Sequence, residues 1–218
     1  MLSCGPAGGV AAPVLLFNGK DLSGWSIFID PSAAGYRPDS DPGRVFRVED
    51  GLIRVSGERF GYLQTRESYR DYRLRFEFKW GRDKWPPRAD AARDSGVLVH
   101  CVGPDKIWPR SIECQIQEHD CGDFWMVDGA SLEVGGQVRA GGRAIKTADA
   151  EKPSGEWNRV EVVCRGDTIT NIINGVVVNE GRRASVSKGR ILLQSEGAEI
   201  FFRAVELLPL TETSPSRG

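Results

Sequence analysis

From Tyr72 to Trp80 the chain alternates strictly. Tyr72, Leu74, Phe76, Phe78 and Trp80 fall on one side, and Arg73, Arg75, Glu77 and Lys79 on the other. This two-residue period predicts a half-buried antiparallel strand. The same period returns over Glu156–Cys164, which ends in an Arg165-Gly166-Asp167 turn, and a closing strand is expected over Ala198–Leu207. Val45–Val55 reads as strand, Asp50-Gly51 turn, strand, and Thr168–Val178 as strand, Asn174-Gly175 turn, strand, because Asp-Gly and Asn-Gly supply the positive φ angles that tight hairpins need. Shorter strands are expected at Phe60–Thr65 and Arg190–Glu196. No segment carries a helical period. The pattern therefore predicts an all-β fold of a dozen or more strands in two packed sheets. Loops are expected at Asp30–Gly43, at Arg82–Asp94, and over the sheet at Asp120–Gly129 and Gly135–Gly142, where Gly, Pro and charge break the alternation.

The most unusual chemistry lies in two apolar bursts, Ser95–Cys101 and Ser111–Asp120. In the second, Ile112, Cys114 and Ile116 share one face while Glu113, Gln115 and Gln117 share the other. Strict alternation would turn Glu118 toward the apolar face, where an unpaired carboxylate is costly, so the strand is expected to end or bulge there.

Composition narrows the class. A chain of 218 residues suits one domain, expected over residues 14–210, with flexible segments at 1–13 and 211–218. Lys and Arg total 29 against 30 Asp and Glu, so no net field attracts nucleic acid or an anionic membrane. No apolar run approaches the length of a transmembrane helix. There is no phosphate loop, dinucleotide fingerprint or G-x-S-x-G elbow, which argues against a nucleotide cofactor and a serine hydrolase. Met1-Leu2-Ser3-Cys4-Gly5 is similar to the end of a lipoprotein signal with Cys4 as the lipidated residue, an expectation of export. The five cysteines show no C-x-x-C spacing and are read as buried thiols.

Phe17-Asn18-Gly19-Lys20-Asp21-Leu22-Ser23-Gly24-Trp25, Ser95-Gly96-Val97, Glu113-Cys114-Gln115, Gly155-Glu156-Trp157-Asn158, Ile173-Asn174-Gly175 and the run from Gly189 to Leu210 resemble, as an ordered set, the bacterial 3-keto-disaccharide hydrolase domain family. The resemblance implies a concanavalin A-like jelly roll, and a carbohydrate substrate whose carbon 3 is a ketone. Asp94 stands where that family often has Asn.

A 3-keto sugar acidifies the hydrogen on carbon 2, so its cleavage needs a base, an electropositive group at the ketone and a proton donor. Glu113 is the first candidate for base or metal ligand, then Glu118, and His100, expected on the face opposite Val99, for base, acid or metal ligand. Glu113-x-Gln115-x-x-Glu118 is similar to the acid-bearing strand of laminarinase-type glucanases, with an amide in place of the middle acid. Arg110 is a candidate to polarise the ketone, Gln115 to bind sugar, and Trp108 and Trp125 to stack on it. His119, Asp120 and Asp123 are candidate ligands of a divalent metal, though their spacing fits no established motif. A non-catalytic, lectin-like carbohydrate-binding module is the alternative from a different class.

Overall fold

The computed structural model describes residues 12–32 and 45–210. Most of the segment from Asp30 to Gly43, both expected flexible termini and Cys4 lie outside them, apart from residues 12 and 13. The described residues form fifteen strands and no helix, so none contains a helix able to cross a membrane.

The alternating segments fold as their parity requires. In β6 (Tyr72–Lys84) the residues Tyr72, Leu74, Phe76, Phe78 and Trp80 are buried while the charged residues between them are partly exposed. On one flank β6 pairs with β11 (Asn158–Arg165), which runs on into β12 (Thr168–Ile173) and β13 (Val176–Arg182). On the other flank it pairs with β15 (Ala198–Pro209), followed by β4 (Leu52–Val55) and β3 (Phe46–Glu49). β1 (Val14–Leu15) adds to β15. Both predicted tight turns form, with positive φ at Asp50 and Gly51 and at Asn174 and Gly175.

The remaining strands follow in spatial order as β2 (Trp25–Ile29), β5 (Gly61–Thr65), β14 (Arg190–Ser195), β7 (Gly96–Val102), β8 (Arg110–Gln115) and β9 (Phe124–Val134). β10 (Gln137–Ala144) forms a hairpin with β9. Two separate sheets were expected, but one antiparallel path joins the strands. The cause is β9, whose first residues pair with β8 and whose last pair with β13. The nearly closed, barrel-like sheet wraps a shared core in which Leu63, Val97, Ile112 and Leu193 meet Leu74, Phe76, Val160 and Val162. Each such buried side chain contributes about 1.5–3 kcal/mol.

Three further expectations change. Most of Asp120–Gly129 and Gly135–Gly142 is strand rather than loop, because Phe124 and Met126 bury in alternation and Gly135-Gly136 makes a positive-φ turn between β9 and β10. β6 runs on to Lys84, so the charged loop is shorter than read. The four described cysteines (Cys101, Cys114, Cys121 and Cys164) are buried and free, as expected.

The outer face of β5, β14 and β7 carries a second apolar patch of Tyr62, Leu98, Cys101 and Leu192, with Phe28 stacked on Tyr62 at 4.9 Å. The segment after β7 lies against this patch, since Asp105 accepts from Gln64 Nε2 at 2.9 Å and from the Tyr62 hydroxyl at 3.4 Å. Beyond it the same face opens into a cleft.

Candidate active site

The cleft, of about 600 Å³, is floored by the outward-facing residues of β8 and β14. On β8, Ile112 and Cys114 enter the core, so parity presents Glu113 and Gln115 to the other side. The strand ends at Gln115, where the chain turns back: Gln115 N–H donates to the Asp123 carbonyl and Gly122 N–H to the Gln115 carbonyl. Gln117 also reaches the cleft, so the row predicted from the sequence shares one surface. Opposite parity on β14 buries Ile191 and Leu193 in the core and turns Gln194, then Glu196 just beyond the strand, into the cleft.

Space for the Glu113 carboxyl comes from Gly96. A side chain at this position would run into Glu113 Oε1 and Gln194 Oε1. Arg88 and Asp94 complete one wall, joined by an ion pair of 2.6 Å. Trp108 and Trp125 line the same cleft and give it aromatic surface.

Three carboxyls thus share a largely desolvated space. Burial, reinforced by like charge on Glu196 and Asp94, pushes Glu113 well above the usual carboxylate range. Burial and the neighbouring Asp94 raise Glu196 to about 8, against the pull of Arg88. Asp94 rises to about 6, burial outweighing Arg88. At neutral pH Glu196 therefore titrates just above neutrality and Asp94 is the ionised member, while burial shifts Glu113 toward its protonated form. Such separation equips one site with both an acid and a base.

The other residues singled out in the sequence fall elsewhere. Glu118 lies off the cleft and is clamped by Arg93, whose backbone N–H and Nη1 each donate to it at 2.9 Å. His100 is fully buried, with Nδ1 3.2 Å from the Val186 carbonyl oxygen and its ring edge-on to Tyr72 at 5.6 Å. Its positive φ sits at a bulge between Val99 and Val102, which turns it into the core instead of the face opposite Val99. Burial lowers its pKa to about 4. Arg110 bonds Ser185 Oγ at 3.4 Å and does not line the cleft.

Asp120 and Asp123 are both occupied by Arg143, and Asp123 also accepts from the Lys146 backbone N–H at 2.8 Å. The His119 backbone N–H donates to Glu151 at 2.8 Å. Among the described residues no group of three or more His, Cys, Asp or Glu side chains is placed to hold a metal ion. Arg88, Gln194 and Glu196 were not singled out from the sequence, and Asp94 only as a departure from a family pattern. The shared parity of Gln194 and Glu196 was the local signal that could have found them.

A curved antiparallel β-sheet whose cleft combines acids, amides and tryptophans is the architecture of a carbohydrate-active domain. The chain belongs to the 3-keto-alpha-glucoside-1,2-lyase-like domain family, whose model matches residues 12–208. No curated protein matches it by sequence. Among solved structures it is similar to a Parabacteroides distasonis protein assigned as a glycosyl hydrolase, with a TM-score of 0.64 and 20% identity over 91% of this chain and 94% of that one. It is also similar to the Bacillus licheniformis β-glucanase (TM-score 0.57, 11% identity, 94% of this chain and all of that one). A third is the carbohydrate binding module CBM66 of Bacillus subtilis (TM-score 0.53, 12% identity, 88% of this chain and 98% of that one). At these identities the likeness is one of fold.

Proposed function

We propose that this protein cleaves glycosides whose carbon 3 carries a ketone, by elimination followed by hydration. The observation that carries the reading is the convergence of Glu113, Glu196 and Asp94, all raised by burial, in one cleft beside Trp108 and Trp125. Family membership supports the substrate class.

In this scheme the ionised form of Glu196, which titrates at about 8, takes the proton from carbon 2. The C–H electron pair becomes the C2–C3 double bond of an enolate. Collapse of the enolate re-forms the ketone, makes a C1–C2 double bond and expels the group on carbon 1, whose oxygen takes the proton held by Glu113. Water then adds across C1–C2: Glu113, now ionised, accepts its proton, the hydroxyl joins carbon 1, and Glu196 returns a proton to carbon 2. Release before hydration makes the reaction a lyase, and completion makes it a hydrolase. Gln115 and Gln117 supply amide contacts to sugar hydroxyls, and the tryptophans a stacking surface. Glu118, His100 and Arg110 have no step in this scheme, since they lie off the cleft.

Cleavage of 3-keto-trehalose tests the reading, with and without added divalent metal, by following release of glucose. The wild type is expected to cleave it and Glu113→Gln to lose at least about 100-fold in rate. Full activity in Glu113→Gln removes the acid assignment. Binding without turnover under every metal supports a second reading, a non-catalytic sugar-binding module, for which the fold shared with a named carbohydrate binding module is the reason.

A further inference from the structure

Three residues lining the cleft hold buried polar atoms without a partner: Nε of Arg88, Oδ1 of Asp94 and Oε1 of Gln194. A buried polar atom without a hydrogen bond costs about 1–3 kcal/mol. One donor and two acceptors are thus left unsatisfied on side chains that line the cleft, and each calls for a partner.

The Arg88–Asp94 pair is the most constrained of these. Arg88 Nη2 is committed to Asp94 Oδ2 at 2.6 Å and to Gln117 Oε1 at 3.0 Å. The aliphatic stem of Arg88 lies against the backbone of Gly197, where any side chain would meet its Cβ, Cγ and Cδ. Gly197 is itself anchored by hydrogen bonds to Gly57 and Trp85. With the guanidinium so fixed, its Nε–H remains a donor without a partner, and Asp94 Oδ1 an acceptor without one.

We infer that Arg88 and Asp94 form a subsite for an adjacent ketone and hydroxyl, with Arg88 Nε–H donating to the carbonyl oxygen and Asp94 Oδ1 accepting from the neighbouring O–H. The hydroxy-ketone edge of an oxidised sugar presents an acceptor next to a donor and satisfies both atoms at once. An alcohol in place of the ketone can still accept from Nε–H, but its own hydrogen needs a further acceptor, which the guanidinium cannot supply. As a proton leaves the carbon beside the ketone, negative charge gathers on the oxygen held by Arg88, so the contact strengthens along the reaction. Arg88 thereby takes the role for which the sequence suggested Arg110. The inference rests on the proposed cleavage for the identity of the sugar, but its test does not require cleavage.

The probe is 1,5-anhydro-3-keto-glucitol, which has the ketone and no leaving group, compared with 1,5-anhydroglucitol in calorimetric titrations. Deuterium uptake at carbon 2 in D₂O is followed by NMR. The wild type is expected to bind the ketone about tenfold or more tightly than the alcohol and to catalyse the exchange. Arg88→Met should bring the two affinities within about threefold and slow the exchange by about 100-fold. Arg88→Met/Asp94→Asn, which leaves no buried charge unpaired, should do the same, so that misfolding of the single variant does not decide the matter. Preference and exchange retained in the folded variants overturn the subsite while leaving wild-type cleavage of 3-keto-trehalose standing. Preference and exchange lost in the variants, with no cleavage by the wild type, uphold the subsite and overturn the proposed reaction. A wild type that neither prefers the ketone nor cleaves the disaccharide overturns both.

Discussion

Replacing Glu196 by Gln should stabilise the protein and disable it, by amounts that the cleft fixes. The carboxyl titrates near 8 in the fold, raised from 4.5 by burial and by Asp94 and restrained by Arg88. Because the folded-state value lies above the unfolded one, the folded chain holds more protons between these limits. Stability therefore falls as pH rises through this window. At 1.36 kcal/mol for each pH unit separating the two titrations, the penalty is about 1 kcal/mol at pH 5, about 3 at pH 7 and about 5 at pH 9. These figures are upper bounds, since Glu196 is only partly buried and shares its field with Asp94 and Glu113. An amide has no such titration.

Urea unfolding monitored by tryptophan fluorescence, at pH 5, 7 and 9, measures the difference directly. Wild-type stability should decline across the series and the Glu196→Gln profile should be flatter, so the gap widens with pH. At pH 7 a gain of 1–3 kcal/mol corresponds to roughly 3–10 °C in Tm for a domain of this size. Cleavage should fall by at least about 100-fold in the same variant. Parallel pH profiles for the two proteins would refute the argument, since they would mean that Glu196 titrates alike in the folded and unfolded chains.

Two other substitutions separate the cleft from its surroundings. Gly96→Ala places a methyl group against the Glu113 and Gln194 side-chain oxygens, so it should displace the Glu113 carboxyl and cut the cleavage rate at least about tenfold, at a stability cost of about 1–3 kcal/mol; rate assays and urea melts read the two effects separately. His100→Leu removes a buried ring hydrogen bond off the cleft, so it should cost about 1–3 kcal/mol of stability yet leave the rate of the remaining folded protein within about twofold; a rate loss of a hundredfold would restore His100 to the chemistry.

The parts of the fold that could be read in advance are those fixed by neighbours in sequence. β6 declares its buried face through five alternating apolar residues, and Asn174-Gly175 and Asp50-Gly51 carry their own turn geometry. β9 and β10 did not, because Gly129, Gly135, Gly136, Gly141 and Gly142 interrupt the alternation, and because β9 is held by two different partners along its length. His100 was misplaced for a related reason: a single bulge in β7 breaks the parity of the strand at that residue, and nothing in Val99-His100-Cys101 announces it.

The site divides along the same line. Glu113, Gln115 and Gln117 share a face by local parity, so the row was legible. Glu196 and Gln194 join them only because Leu193 pairs with Val97 and Val97 with Cys114, a register among strands far apart along the chain. That register has an energetic signature that parity lacks. It drives Glu113, Glu196 and Asp94 together out of water with one arginine among them, an arrangement that costs several kcal/mol relative to apolar residues of similar volume. The inner face of the same strands shows that this chain packs Leu, Val and Ile without difficulty. Stability alone would have put such residues on the cleft floor as well, so the acids there are most economically explained by the proton transfers they make possible.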